Sequence, residues 1–368
     1  MSTSNISFVL RAKTPEDIFG EITGSARAKL ATLKTLFRRL RSSVAPDKNP
    51  QAVKDANDAA FKLRKFYEDA CKLIEDDLYG KPRIMLSIQS KRSTYNIHSR
   101  TLDSSKDEDW SESGMFFDAT TDTSSAVTIK ISKSTTCNAF MQSESKLLEG
   151  TDLFDANTPV GLRARFPRII ESFVSKIDGV DRHVLIFEKF DDKFMSISSI
   201  KEKFDLTNED KQLAWMLKRM LETAAFIADT GYSMLGFTPN SVLFNLDTHE
   251  VFIPDFTFMT KLQTKATAMS QTFASFYPPE ILNADGVATS TDTYMIAKCI
   301  MYLVEGHKQL SWDKCITSQF ANLLRAATFP NKTTRTIDAP TIYKRFNEMI
   351  YDRLHWPKKF EQFAAKKR

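Results

Sequence analysis

The chain has 368 residues, of which 42% are hydrophobic, 26% charged and 11% aromatic. That balance excludes a disordered or fibrous protein and leaves room for about two or three domains. Its 51 Lys and Arg against 46 Asp and Glu give a net charge of only +5, too small to name a partner by itself. No apolar run approaches the roughly 20 residues that cross a bilayer, and residues 1–11 carry no signal-peptide core. Four scattered cysteines (Cys71, Cys137, Cys299 and Cys315) have neither a disulfide-framework spacing nor a zinc-ligand spacing. A cytoplasmic protein without metal, cofactor or membrane partner is expected.

In chain order, Thr14 with Asp17 has the form of a capping box, which predicts a helix start. Residues 26–44 place Leu30, Leu33, Leu36, Phe37 and Leu40 on one face at helical spacing, with cations around the rest. Pro46 and Pro50 stop that helix, because proline lacks an amide donor and restricts the residue before it. A second helix is predicted over 51–78, with Val53, Ala56, Ala60, Leu63, Phe66, Tyr67 and Ala70 inward. An antiparallel helical hairpin is the simplest arrangement.

After a linker at 81–93 the period changes. Residues 83–89, 95–102, 114–119, 126–132 and 184–190 are short and rich in β-formers, which predicts strands. Residues 210–230, 291–305, 315–327 and 337–353 return to spacings of three and four, which predicts helices. Strands followed by helices give an α+β class. The boundaries drawn are 1–80 for a helical module, 81–190 for a small sheet-rich lobe and 191–368 for a large helical lobe with a basic tail.

Positive charge is gathered at both ends. Seven cations between Arg27 and Lys48 (Arg27, Lys29, Lys34, Arg38, Arg39, Arg41 and Lys48) meet one acid, Asp47. Residues 353–368 carry six cations and one acid, whereas 103–112 is acidic and serine-rich. In that tail Trp356, Phe360 and Phe363 are interleaved with Lys358, Lys359, Lys366, Lys367 and Arg368. Rings stack on unpaired bases while lysines neutralise phosphates, so these cations and the seven near the other end form a candidate nucleic-acid surface, RNA favoured. The plainer reading is a solvated charged face. The five histidines (His98, His183, His249, His307 and His355) have no paired spacing and read as surface or satisfied groups.

Two resemblances add to this. The string Ala45-Pro46-Asp47-Lys48-Asn49-Pro50, between a basic helix and one carrying Asn57-Asp58-Ala59-Ala60-Phe61, resembles the loop of the J domain. The family's loop histidine, with which it triggers ATP hydrolysis by its chaperone partner, is Ala45 here. The resemblance implies a helical module that keeps the basic helix for another partner, a protein included.

From about residue 90 to 350 the order of short strings resembles a protein kinase with its small β-rich and large α-helical lobes. Val127-Thr128-Ile129-Lys130 is similar to the strand whose lysine holds nucleotide phosphates. Glu144, or Glu149 at a more usual separation, is similar to that lysine's helix partner. Asp255 in Ile-Pro-Asp-Phe-Thr resembles the metal-binding aspartate, Phe187 to Phe190 the hinge, Asp292 the start of the central helix, and Glu280 with Arg335 a structural ion pair. Aligning residues 238–243 with the family's catalytic loop puts Gly236 where the catalytic aspartate belongs and Ser241 where the metal-binding asparagine belongs. No glycine-rich phosphate loop precedes Lys130, and Thr128 crowds the purine position. The resemblance therefore implies a pseudokinase without enzymatic activity, with Lys130, Glu144, Gly236, Ser241 and Asp255 as vestigial positions. A non-catalytic nucleic-acid binder is expected. The alternatives are a protein-interaction adaptor or degenerate co-chaperone, and an atypical kinase that still uses Lys130 and Asp255.

Overall fold

The basic amphipathic segment folds as anticipated. Preceded by short helices α1 (Ser2–Arg11) and α2 (Pro15–Phe19), helix α3 spans Ala26–Val44 and stops at Ala45, where Pro46 opens a single 3-10 turn, Pro46–Lys48. Asn49 is buried in the bend, and its side-chain amide donates to the carbonyls of Ser43 (3.0 Å) and Ala45 (2.9 Å). Those acceptors are among the carbonyls a helix end leaves unpaired. Helix α4 (Val53–Glu75) then returns along α3, with the Phe37 and Tyr67 rings stacked at 4.2 Å. Leu33, Val44, Ala56, Ala59, Leu63, Ala70 and Ile74 close one core with Ile6 and Val9 of α1 and Ile18 and Phe19 of α2. The capping box at Thr14 is present in full, its hydroxyl accepting from the Asp17 N–H and the Asp17 carboxylate from the Thr14 N–H.

These observations come from a computed structural model that describes residues 2–12, 14–76, 79–80, 86–98, 110–150, 153–155, 157–305, 311–333, 335, 339–348 and 366–367. The chain divides into two units, Met1–Leu86 and Ser87–Arg368. Among the described residues no helix is long and apolar enough to cross a membrane.

The second unit is a mixed α+β body. Strands β1 (Leu86–Gln89), β2 (Thr94–Ile97), β3 (Gly114–Thr121), β4 (Ala126–Ser132), β5 (Ile169–Ile177) and β6 (Val180–Glu188) form an antiparallel sheet in the order β1-β2-β3-β4-β6-β5. The strand expected over 83–89, inside the segment also read as a linker, appears as β1 over Leu86–Gln89. The sheet curls until its ends meet: Ser90 and Tyr95 hydroxyls each donate to Glu171 at 2.8 Å, and Arg92 donates to the Ile170 carbonyl. Helix α5 (Asn138–Glu149) follows β4, and short α6 (Val160–Arg163) precedes β5.

Strand β7 (Phe194–Ser196), helix α7 (Ile197–Lys203) and β8 (Phe204–Asp205) lead into α8 (Asp210–Asp229), most of whose residues are buried. Short strands β9 (Tyr232–Ser233), β10 (Leu243–Asn245), β11 (Glu250–Phe252) and β12 (Thr260–Lys261) frame the loops that follow. Helices α9 (Pro279–Leu282), α10 (Thr291–Val304), α11 (Ser318–Ala327) and α12 (Ala339–Asn347) complete the helical part. Strand β13 (Lys366–Lys367) pairs antiparallel with β8. One continuous core runs from Phe116 and Phe187 of the sheet through α8 and α10 to Phe320 and Phe346.

Candidate functional site

The first unit offers a surface rather than a cleft. Helix α3 holds six cations and no acid in its 19 residues. Arg27, Lys34, Arg38, Arg39 and Arg41 are exposed and Lys29 is half-buried. Arg27, Lys34, Arg38 and Arg41 follow one another at intervals of seven, four and three residues, which keeps all four on one stripe of a helix with 3.6 residues per turn. At 1.5 Å per residue the stripe is about 21 Å long. Lys48, also exposed, donates to Ser42 at 2.7 Å just past the helix end. Of the C-terminal cations, Lys366 and Lys367 lie in β13, with backbone paired to Asp205 and Phe204. Lys358, Lys359 and Arg368 lie outside the described residues.

The second unit brings Lys130, Glu144 and Asp255 together around one buried ammonium. Lys130 sits at the middle of β4, flanked by Phe116 on β3 and Leu185 on β6. Its Nζ donates to Glu144 of α5 at 2.5 Å and to Asp255, in the loop after β11, at 2.6 Å. Glu144, not Glu149, is therefore the helix partner. All three are buried. The arrangement is closed from several sides: the Phe116 ring centroid lies 5.4 Å from the ammonium, and Gly114 packs against the lysine stem. A Cβ on Gly114 would stand 2.7 Å from Lys130 Cγ and Cε, so glycine is required there by close approach. Asp255 also accepts from the Thr257 N–H (3.2 Å) and hydroxyl (2.5 Å), and Glu144 accepts from the Phe256 N–H (3.3 Å).

One cation faces two carboxylates. Burial works against the Lys130 ammonium, but Asp255 and Glu144 outweigh it and hold its pKa above the ordinary lysine value. Burial pushes Glu144 up to about 7 against the pull of Lys130, and the charge of Asp255 adds to the push. The cluster is most comfortable with one proton more than two free carboxylates would carry.

The surroundings are apolar where the resemblance would seat a base. Phe190 lies 5.9 Å from Phe116, 5.6 Å from Phe187 and 4.8 Å from Phe252, and its N–H donates to the fully buried Thr128 hydroxyl at 3.0 Å. On the far side of Asp255, Ser111, Ser113 and Thr257 form a chain of hydroxyls, with Ser113 and Thr257 2.5 Å apart. Glu112, between those serines, binds the Ser270 hydroxyl and the Gln271 N–H. A polar cavity of about 220 Å³ lies beside this strap, with Glu112, Lys133 and Ser241 in its wall. The acidic serine-rich run gave Glu112 no role in the sequence reading, and nothing in its local pattern singles it out.

Gly236 has no positive φ, and a Cβ there would meet its nearest neighbour at 3.5 Å, so neither space nor backbone demands a glycine. Just before it Leu235 adopts a left-handed φ of 50°, held by its N–H bond to Asp292 (2.9 Å) and by Tyr277, which donates to its carbonyl (2.8 Å). Burial raises Asp292 to about 6 although the N–H groups of Met234 and Leu235 pull the other way. Arg335 and Glu280 form a buried ion pair, as expected from the sequence. No protein family matches this chain, and no curated protein does.

Proposed function

We propose that this chain is a non-catalytic binding protein, in which a kinase-like scaffold accompanies a helical module that holds the phosphate backbone of a nucleic acid, RNA favoured. The observation that carries the reading is the acid-free stripe of Arg27, Lys34, Arg38 and Arg41 on exposed α3. Cations at successive turns present donors along a path, as a phosphate chain does, and each phosphate neutralised releases a counterion. Gel shift with a single-stranded RNA across a salt series is the test. Affinity should fall steeply with salt, and replacing the four cations by alanine should reduce the log–log slope by about 3, at roughly 0.7 per contact. Binding insensitive to salt, or unchanged in the quadruple variant, would remove the reading.

The convergence of Lys130, Glu144 and Asp255 favours a second reading, an atypical kinase. Against it stands the state of the lysine: its ammonium is fully buried and already bonded to two carboxylates, and Phe116 covers it. Phosphoryl transfer also calls for a carboxylate beside the substrate hydroxyl, and Gly236 supplies none at the aligned position. Thermal unfolding with and without ATP and magnesium separates the two readings. An unchanged midpoint fits the scaffold, and a concentration-dependent rise fits the kinase.

A further inference from the structure

We infer that Phe61 is a base-stacking residue of the helical module, so that the nucleic acid it takes is unpaired. This inference rests on the reading of α3 as a phosphate-binding helix. Phe61 is 75% exposed, more than any other large hydrophobic residue described in the first unit. It lies on α4 opposite the buried row of Ala56, Ala59, Leu63 and Ala70. Exposed residues of both signs share its stripe: Lys54 seven positions before it, Lys65 four after and Lys72 eleven after are cations, and Glu68 seven after and Glu75 fourteen after are acids. Glu68 is bridged to Arg64 at 3.0 Å, which leaves Lys65 and Lys54 as the cations nearest the ring, and Asp58 stands at the edge of the stripe.

A single exposed apolar side chain is ordinary on a protein surface. An exposed ring with ammonium groups one and two turns away is a different object, because each part meets one half of a nucleotide. The flat face takes a base, and the lysines take the phosphates on either side. A protein partner of apolar character would have to leave those ammonium groups without counter-charge. A duplex hides its base faces within the stack, so the ring gains little from it, whereas an unpaired strand can lay a base on Phe61.

The test uses the full chain with a short uridine-rich RNA, single-stranded and as its duplex, in a fluorescence-anisotropy titration at low salt. Phe61→Ala should weaken single-strand binding by about 5- to 140-fold, the range for loss of one stacked base, and leave duplex binding unchanged. Phe61→Trp should restore the affinity and Phe61→Leu should not, since only the former keeps a ring. Because Phe61 is outside the core, circular dichroism melts of all three variants should match the wild type. The inference fails alone if wild-type binding depends on salt and on the α3 cations while Phe61→Ala behaves as wild type, or if Phe61→Ala weakens single strand and duplex equally. It falls together with the α3 reading if the wild-type chain binds neither RNA at low salt.

Discussion

Lys130 shows how a side chain suited to phosphate can be committed to its own protein. A buried ammonium needs charge-assisted partners, and two carboxylates supply them at 2.5 and 2.6 Å. The cost is a surplus negative charge. Glu144 relieves it by holding its proton up to about pH 7, against an ordinary carboxyl value of 4.5. Folded Glu144 therefore keeps a proton that the unfolded chain has released between those two pH values. The stabilisation is fully present below about 4.5 and is lost as pH rises through 7, a swing on the order of 3 kcal/mol. Asp292, raised to about 6, acts in the same direction over the lower part of that window. Urea unfolding at a series of pH values should show the second unit losing stability between pH 5 and 8. Glu144→Gln should flatten the segment above pH 6 and reduce the slope below it to the part that Asp292 supplies, and an unaltered profile would reject Glu144 as its source. Gly114→Ala tests the closure from the other side. The added methyl must displace the Lys130 stem within a filled core, so unfolding should become easier by about 1 to 3 kcal/mol, read as a lower urea midpoint at unchanged slope.

At the scale of elements, what could be read in advance depended on how local the signal was. Helix α3 and strand β4 appear with the expected limits, because one is fixed by apolar spacing ended by Pro46 and the other by β-formers, Val127, Thr128, Ile129 and Ile131, on both sides of Lys130. Strand β5 escaped, although its cue was present. Asp178 and Gly179, at φ 52° and 77°, form the two-residue turn that joins it to β6, and Asp-Gly is a strong hairpin signal. Helix α5 was expected through the resemblance, which put Glu144 on a helix, and not from apolar spacing; Met141, Glu144 and Leu148 are buried in it, Glu144 against Lys130 of β4. The choice of Glu144 over Glu149 needed the third dimension. The bend between α3 and α4 offers a prediction of its own kind. Asn49 bonds two carbonyls at the end of α3 in a buried turn, a role the J-like string did not disclose. Asn49→Ala should leave the Ser43 carbonyl without its amide donor, while Ala45 keeps the Lys48 N–H, and destabilise the first unit by about 1 to 3 kcal/mol, whereas a solvated surface asparagine would cost almost nothing. Thermal melts followed by far-ultraviolet circular dichroism distinguish these outcomes.

Across the whole molecule, stability is divided between two cores that share no residue, one running through α1 to α4 and the other through the sheet, α8 and α10. Damage to one core should therefore stay within its own unit. Leu33 is fully buried in the first core, and Leu33→Ala removes packing worth about 2 to 5 kcal/mol. Lys130→Met leaves Glu144 and Asp255 buried without their cation, a loss of about 3 to 5 kcal/mol in the second. Native-state hydrogen exchange resolves where each loss is felt, since amides in a cooperative unit open together. Leu33→Ala should speed exchange throughout α3 and α4 and leave α8 and α10 as in the wild type, and Lys130→Met should do the reverse. If either substitution accelerates both sets, folding is shared across the division at Leu86. If the division holds, the two binding tests gain a control: Lys130→Met should spare the salt-dependent RNA binding assigned to α3, because the surface that carries it belongs to the other core.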